Sequence, residues 1–393
     1  MVVSQQVTRV TTADIDTLRR RSSYKWRLHP PEILPAFVAE MDFDLATPIQ
    51  DVFSEAASLG DTGYAWPSPQ LAEAFSAFAQ RRYGWNVDPA HVSVVPDVMV
   101  GVLEMLRLLT HPGDGVVINT PVYPPFFMHI EEARCRVLEA PLALSGSTYG
   151  MDFDALERAF KQARVYLLCN PHNPTGCVFT PHDLERVLEF AKRYDITILA
   201  DEIHAPLVLA ECTHVPLLRL GGDAAERTVA FHSASKAWNI PGLKCAQLVT
   251  GSRTMRAVVD RLPEAVTFRT GHLGVMASVA AYREGEAWLD DALHVIRDNQ
   301  RLFARLLESA IPELRYAPPD ATYLAWLDCR PLGLTEDPAA LFLREGLVAL
   351  DSGPRYGAPG DGFVRATVAT SEALLREIVH RIHSGLRAVA ANS

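Results

Sequence analysis

The sequence predicts an α/β protein in which helices cover both faces of a mainly parallel sheet, with a smaller α+β domain beside it. The chain has 393 residues, which favours two domains over one. Hydrophobic residues make up 48% and charged residues 21%, an average globular composition that excludes disordered, collagen-like and coiled-coil chains. Strand-like and helix-like segments alternate through its middle, a pattern that is typical of a parallel sheet.

The strands of this sheet are predicted from short, apolar runs. Four of them cover residues 115–119, 164–169, 196–200 and 228–233. An amphipathic helix is predicted over residues 183–194, because its apolar side chains repeat at helical spacing. These side chains are Leu184, Val187, Leu188 and Ala191.

The pattern changes after residue 285. A long helix is predicted over residues 288–307, a strand over 322–328 and a closing helix over 371–389. We therefore expect a large domain over residues 46–285 and a small domain built from residues 1–45 and 286–393. No low-complexity linker separates them, so we expect the two domains to pack closely.

Charge and apolar patterning exclude several classes of partner. The chain has 37 basic and 47 acidic residues, a net charge of −10 that would repel nucleic acid. No apolar run approaches the roughly 18 residues of a membrane span, and the N-terminus does not resemble a signal peptide. The six cysteines show no CxxC spacing, which indicates free thiols and no metal site. We expect a cytoplasmic protein.

Polar clusters follow three of the predicted strands. They are NPHNPTG at residues 170–176, DEIH at 201–204 and HSASK at 232–236. Taken singly, they are typical of a tight turn, a helix cap and a surface lysine. Because ligands of an open α/β sheet bind at the carboxyl ends of its strands, the three together predict one binding site.

An amide, a carboxylate and a lysine around one pocket suit pyridoxal phosphate (PLP). Its aldehyde condenses with a lysine amine, and its ring nitrogen needs an acidic partner to stay protonated. We expect Lys236 to be the anchor and Asp201 the partner of the ring nitrogen. Asn173 is predicted to donate to the ring oxygen, and Tyr123 to lie over the ring face.

The phosphate of such a cofactor needs hydrogen-bond donors and positive charge. A helix is predicted over residues 99–109, and the backbone N–H groups of Val98 and Met99 at its N-terminus can bind an anion. We expect the remaining donors to be Ser233, Ser235 and Lys244.

The order of these motifs resembles the fold-type I, aspartate aminotransferase superfamily of PLP enzymes over nearly the whole chain. Within it, the sequence is most similar to the MalY/PatB group of C–S lyases, of the cystathionine β-lyase type. The segments that carry the resemblance are SYKW at 23–26, VAEMDF at 38–43, GY at 63–64, TPVYPPF at 120–126, NPHNPTG, DEIH, SASK with Lys244, ATYLAWLD at 321–328 and FVR at 363–365.

The resemblance implies a seven-stranded type of sheet and assigns roles by position. It agrees with the roles of Lys236, Asp201, Asn173 and Tyr123, and adds His204 to the cofactor-binding residues. Arg365 is implied to bind the substrate carboxylate, and Asn173 is implied to contact the substrate as well. Tyr64 is similar to a tyrosine that reaches the partner's phosphate and substrate, which implies a homodimer with its active site at the interface.

Two positions depart from the family pattern. Asp97 follows Pro96 where the family usually has glycine, and a carboxylate there would repel a phosphate unless its side chain turns away. Glu40 stands where the family usually has aspartate, which is expected to reshape the mouth of the site.

The resemblance implies β-elimination from L-cysteine S-conjugates, amino-acid thioethers, giving thiol, ammonia and pyruvate. An aminotransferase would use the same residues, so the residues alone leave both reactions open. A serine hydrolase is disfavoured, because the S-x-x-K pattern at 22–25 and 233–236 lacks the tripeptides that accompany it. A PLP-binding transcription regulator is disfavoured, because the lyase-like motifs already begin at residue 23.

Overall fold

The computed structural model describes residues 10–66, 68–209 and 212–392. The strands are β1 (Leu34–Pro35), β2 (Val92–Val95), β3 (Gly115–Ile118), β4 (Arg136–Glu139), β5 (Ala143–Ser145), β6 (Thr148–Gly150), β7 (Val165–Cys169), β8 (Thr197–Asp201), β9 (Thr228–His232), β10 (Ala246–Thr250), β11 (Leu324–Asp328), β12 (Val348–Ala349), β13 (Asp351–Ser352) and β14 (Phe363–Thr367).

Helices lie between and around these strands, and short 3₁₀ turns link several of them. The helices are α1 (Ile15–Arg20), α2 (Tyr24–Arg27), α3 (Thr47–Leu59), α4 (Gln70–Tyr83), α5 (Val98–Leu109), α6 (Pro125–Glu132), α7 (Phe153–Phe160), α8 (Pro181–Arg193), α9 (Asp223–Arg227), α10 (Ala234–Ala237), α11 (Arg253–Val259), α12 (Glu264–Phe268), α13 (His272–Glu284), α14 (Glu286–Ala310), α15 (Pro338–Glu345) and α16 (Glu372–Asn392). Across the described ranges, none of these helices is long and apolar enough to cross a membrane.

A seven-stranded sheet with the order β2-β10-β9-β8-β7-β3-β4 forms the centre of the molecule. Strands β4, β3, β7, β8 and β9 are parallel, and β10 runs antiparallel to both of its neighbours. The mainly parallel α/β sheet is therefore confirmed. The four predicted strands correspond to β3, β7, β8 and β9, with ends that differ by no more than one residue.

Two boundaries moved for identifiable reasons. Helix α8 begins at Pro181, earlier than predicted, because proline is compatible with the first turn of a helix and Thr180 caps that turn reciprocally with Asp183. Strand β11 begins at Leu324, later than predicted, because Thr322 has a φ of 75° and cannot continue an extended strand.

Each face of the central sheet is covered by an apolar cluster. Alternate residues of β7 contribute to opposite sides: Tyr166 and Leu168 pack in one cluster, whereas Val165, Leu167 and Cys169 pack in the other. This alternation follows from the two-residue period of a strand. Burial on both faces explains why β7 has no exposed residue.

A third apolar cluster surrounds the antiparallel sheet β11-β14-β13. The N-terminal segment joins it, since Leu34 packs in this cluster and pairs with Val348 between β1 and β12. Helix α14 contributes Ile296 to a central cluster and Phe303 to the third. The N-terminal segment thus packs with the C-terminal region, while the predicted domain boundaries stay a prediction.

A buried ion pair fixes the segment that leads from β1 toward the sheet. Lys25 Nζ lies 2.8 Å from Asp42 Oδ1, with side chains only 1% and 3% exposed, and also donates to the carbonyl of Glu40. Both polar atoms of the Asn239 side chain bind the backbone of Met41. These contacts hold residues 40–42 against the central sheet.

Replacing Asp42 by Asn leaves the Lys25 ammonium buried without a counter-charge. We expect the free energy of unfolding to fall by about 3–5 kcal/mol, as for removal of one partner of other buried ion pairs. Urea unfolding followed by tryptophan fluorescence measures this loss.

The matched control is Glu336→Gln. Glu336 pairs with Arg344 at 2.8 Å on the surface, where both side chains are more than a third exposed. Its loss should leave the free energy of unfolding nearly unchanged, because water and salt screen an exposed pair. Equal effects of the two substitutions would contradict the role given to the Lys25–Asp42 pair.

Candidate active site

A cavity of ≈ 340 Å³ opens at the carboxyl edge of the central sheet. Its walls come from the segments that follow β3, β7, β8 and β9 and from the N-terminus of α5. Nine residues predicted for the site line this cavity: Val98, Met99, Tyr123, Asn173, Asp201, His204, Ser235, Lys236 and Lys244.

Strand pairing brings these residues together. Cys169, the last residue of β7, is paired with Asp201, the last residue of β8, and the Asn170 N–H donates to the Asp201 carbonyl at 3.0 Å. Strand β9 lies on the other side of β8 and leads directly into α10, which carries Lys236. Parallel strands end at one edge, so residues far apart in sequence share a cavity.

The Asp201 carboxyl is buried, with the residue 4% exposed. Its Oδ1 atom accepts one hydrogen bond, from the backbone N–H of Ile203 at 3.1 Å. Burial raises the pKa of Asp201 to about 7, although this N–H and the Lys236 ammonium act in the opposite direction. A cationic group in the cavity would therefore stabilise the carboxylate.

The Lys236 amine faces the cavity and donates to the carbonyl of Ala39 at 3.2 Å. Burial lowers the pKa of Lys236 to about 8, and the positive charge of Arg365 acts in the same direction. The carboxylates of Glu40 and Asp201 oppose this shift. An amine with this pKa can both lose and accept a proton near neutral pH.

Arg365 is buried on β14 and lies beside Asn173. Its Nη1 donates to Asn173 Oδ1 at 3.2 Å, its Nη2 donates to the Phe37 carbonyl at 2.8 Å, and Nη2 lies 3.2 Å from Asp351 Oδ2. Its Nε has no hydrogen-bond partner within the described part of the chain. An unsatisfied, buried guanidinium N–H next to the cavity suits an incoming carboxylate.

Two ionisable side chains of the wall are held neutral. Burial lowers the pKa of His204 to about 3, with the charges of Lys236 and Arg365 adding to the effect, so its imidazole is uncharged at neutral pH. Burial raises the pKa of Tyr123, so its phenol stays protonated. Tyr123 therefore presents an uncharged aromatic ring to the cavity.

Two of the predicted phosphate donors form the start of α5. Val98 and Met99 are its first residues, whose N–H groups have no intrahelical partner. Asp97 caps this helix by accepting from the Val100 N–H at 2.8 Å, and its second oxygen lies 3.0 Å from Lys244 Nζ. The Asp97 carboxylate therefore caps α5 and pairs with Lys244.

Three of the predicted residues do not line this cavity, namely Arg365, Ser233 and Tyr64. Ser233 is buried, and its hydroxyl donates to the Cys245 carbonyl and accepts from the Ser235 N–H, so it caps α10. Tyr64 is 80% exposed and its ring lies 4.9 Å from that of Phe268. Within one chain, Tyr64 is not brought to the cavity.

The sequence interpretation missed some neighbours of the site. Asp351, buried next to Arg365, is placed there by the pairing of β13 with β14, which a single sequence does not reveal. Met128 and His129 of α6 line the cavity. The position of α6 directly after Tyr123 is the signal that could have found them.

The residues present match the parts of PLP. A lysine amine, a buried carboxylate, an amide and an aromatic ring can serve its aldehyde, ring nitrogen, ring oxygen and ring face. The start of α5 with Lys244 and Ser235 can serve its phosphate. The Asp97 carboxylate lines the cavity at the start of α5 and would repel a phosphate.

Comparison with known proteins shows the family to which the chain belongs. The family model described as aminotransferase class I and II matches residues 45–382. A Mycobacterium leprae relative provisionally named cystathionine beta-lyase is 43% identical over 95% of this chain and 96% of its own. The Corynebacterium glutamicum cystathionine beta-lyase is 34% identical over 95% and 99% of the two chains.

A solved structure is similar throughout. Cystalysin from Treponema denticola, whose crystal structure contains pyridoxal 5'-phosphate, has a TM-score of 0.90 and 27% identity, covering 96% of this chain and 98% of its own. With the fold, the cavity and these matches in agreement, the chain belongs to the aminotransferase class I and II family.

Proposed function

We propose that this chain is a PLP-dependent C–S lyase that catalyses β-elimination from L-cysteine S-conjugates such as cystathionine. The observation that carries PLP chemistry on an amino acid is the cavity that holds Lys236 and the buried Asp201 carboxyl, with Arg365 beside Asn173 next to it. Relatives named cystathionine beta-lyase, at 34% and 43% identity over almost the whole chain, support the lyase class.

PLP supplies an electron-withdrawing ring that stabilises negative charge at Cα of a bound amino acid. In this chain, Asp201 would keep the ring nitrogen protonated, because a pyridinium compensates the buried carboxylate. Asn173 would donate to the ring oxygen, and Tyr123 would cover the ring face. The phosphate would be held by the N–H groups of Val98 and Met99 with Ser235 and Lys244, while neutral His204 closes the wall.

The substrate would be bound and deprotonated by two basic residues. Arg365 would bind the α-carboxylate, since its planar guanidinium matches a carboxylate with two hydrogen bonds. Lys236 would take the Cα proton. The C–S bond then breaks, the thiolate leaves from Cβ and is protonated, and water releases the rest as pyruvate and ammonium. One substrate and one water thus give one thiol, one pyruvate and one ammonium.

We also propose that two copies assemble into a homodimer in which Tyr64 completes the partner's site. Tyr64, Trp66 and Phe268 are all large, exposed aromatic residues, and monomeric proteins rarely leave an apolar patch uncovered. The Tyr64 and Phe268 rings lie in contact, and Trp66 is 78% exposed. A two-fold interface would bury the same surface on both copies.

We propose a cytoplasmic location because the cysteines are free thiols. All six are free, and five of them are buried. Free thiols are typical of proteins in a reducing compartment.

Turnover without a keto acid tests the proposed reaction against transamination. We expect L-cystathionine or an S-alkyl cysteine to yield pyruvate and ammonia in equal amounts, with one free thiol each, over many turnovers. The measurement follows all three products together. If turnover stops after a single cycle and resumes only when a keto acid is added, the chain is an aminotransferase instead.

Lys236→Ala should abolish the visible absorbance of the lysine-linked cofactor and reduce kcat by about 10²–10⁴-fold, since the anchor and the Cα base are lost together. Absorbance spectra and steady-state rates of the purified variant measure this. Lys192→Ala is the control, because Lys192 is exposed and pairs with Asp223 on the surface. A Lys236→Ala variant with normal absorbance and rate would refute the assignment.

Mixed dimers test the contribution of Tyr64 to the partner's site. We expect Lys236→Ala and Tyr64→Ala chains to be weakly active alone, and co-expression to restore up to about a quarter of the sites, because one site of each mixed dimer is then intact. Lys236→Ala mixed with Asp201→Ala is the control and should restore nothing, since both residues line one chain's cavity. No restoration with Tyr64→Ala would place Tyr64 outside the partner's site.

A further inference from the structure

An acidic side chain stands where the cofactor's phosphate is expected. Asp97 lines the cavity together with Val98, Met99 and Lys244. One of its oxygens accepts from the Val100 N–H at 2.8 Å, and the other lies 3.0 Å from Lys244 Nζ. The carboxylate therefore already uses a helix N-terminus and a lysine that would attract an anion.

The charge of Asp97 also acts across the cavity. Tyr123, which lines the same cavity, has a raised pKa mainly because of burial, and the carboxylates of Asp201 and Asp97 act in the same direction. Asp97 is about one-third exposed and Lys244 more than half exposed, so their ion pair is partly screened and does not cancel the negative charge completely.

We propose that Asp97 weakens the binding of PLP selectively through its phosphate. A phosphate dianion at the start of α5 would meet a fixed negative charge and a lysine that is already paired. Glycine or asparagine at residue 97 would carry no negative charge and would leave Lys244 without this ion pair. This inference rests on the proposed use of PLP and assigns Asp97 as a residue that limits cofactor affinity, with the helix cap as its structural role.

Asp97→Asn separates the charge from the cap. Asparagine caps helices about as well as aspartate does, so α5 should keep its first turn while the charge is removed. The full chain, freed of cofactor, is titrated with PLP and separately with pyridoxal, which has the same ring and aldehyde but no phosphate. Tryptophan fluorescence and visible absorbance report binding without any measurement of turnover.

We expect Asp97→Asn to lower the Kd for PLP by about tenfold at low salt, given a partly screened repulsion at close range. The Kd for pyridoxal should stay unchanged. The gain should shrink as salt is raised, because salt screens charges at exposed sites.

Asp152→Asn is the matched control. Asp152 caps α7 by accepting from the Ala155 N–H at 2.9 Å, in the same way as Asp97 caps α5, but it does not line the cavity. Its replacement removes one negative charge and keeps a cap, and should leave both Kd values unchanged.

Three results would overturn the inference: an unchanged or higher Kd for PLP in Asp97→Asn, equal changes for PLP and pyridoxal, or an equal gain in Asp152→Asn. If the proposal that this chain binds PLP is itself wrong, the result is different: the unsubstituted chain then binds neither PLP nor pyridoxal.

Discussion

Burial of the Asp201 carboxyl at the carboxyl end of β8 is the constraint on which the site depends. A buried carboxylate is costly unless a cation or hydrogen bonds compensate it. Among the described residues, Asp201 has one backbone N–H donor and a nearby lysine. The position thus favours a cationic ligand group. Strand β8, which ends at Asp201, lies between β7 and β9. The turn with Asn173 after β7 and the helix with Lys236 after β9 therefore reach the same cavity.

The substrate side of the site comes from two distant parts of the chain. The small antiparallel sheet carries Arg365, and the N-terminal segment offers the carbonyls of Phe37 and Ala39 to Arg365 and Lys236. The buried pair of Lys25 and Asp42 holds the residues that follow. The N-terminal segment therefore contacts both Arg365, the proposed carboxylate-binding residue, and the Lys236 amine.

Much of the site could be predicted because parallel strands end at one edge of a sheet. This rule placed Asn173, Asp201 and Lys236 together from their positions after apolar runs. It could not predict what depends on side-chain direction or on other contacts. Ser233 follows the right strand but turns inward to cap α10, Asp351 reaches Arg365 only through the register of the small sheet, and Tyr64 lies outside the cavity of its own chain.

We propose that Asp201 keeps the ring nitrogen of the bound cofactor protonated. The ¹⁵N chemical shift of ring-labelled PLP bound to the full chain reports this proton directly, independently of which substrate is used. We expect the shift of a protonated pyridine nitrogen in the unsubstituted chain, and the shift of an unprotonated one in Asp201→Asn, which has the same shape without the charge. An unprotonated nitrogen in the unsubstituted chain, or the same shift in both, would contradict it.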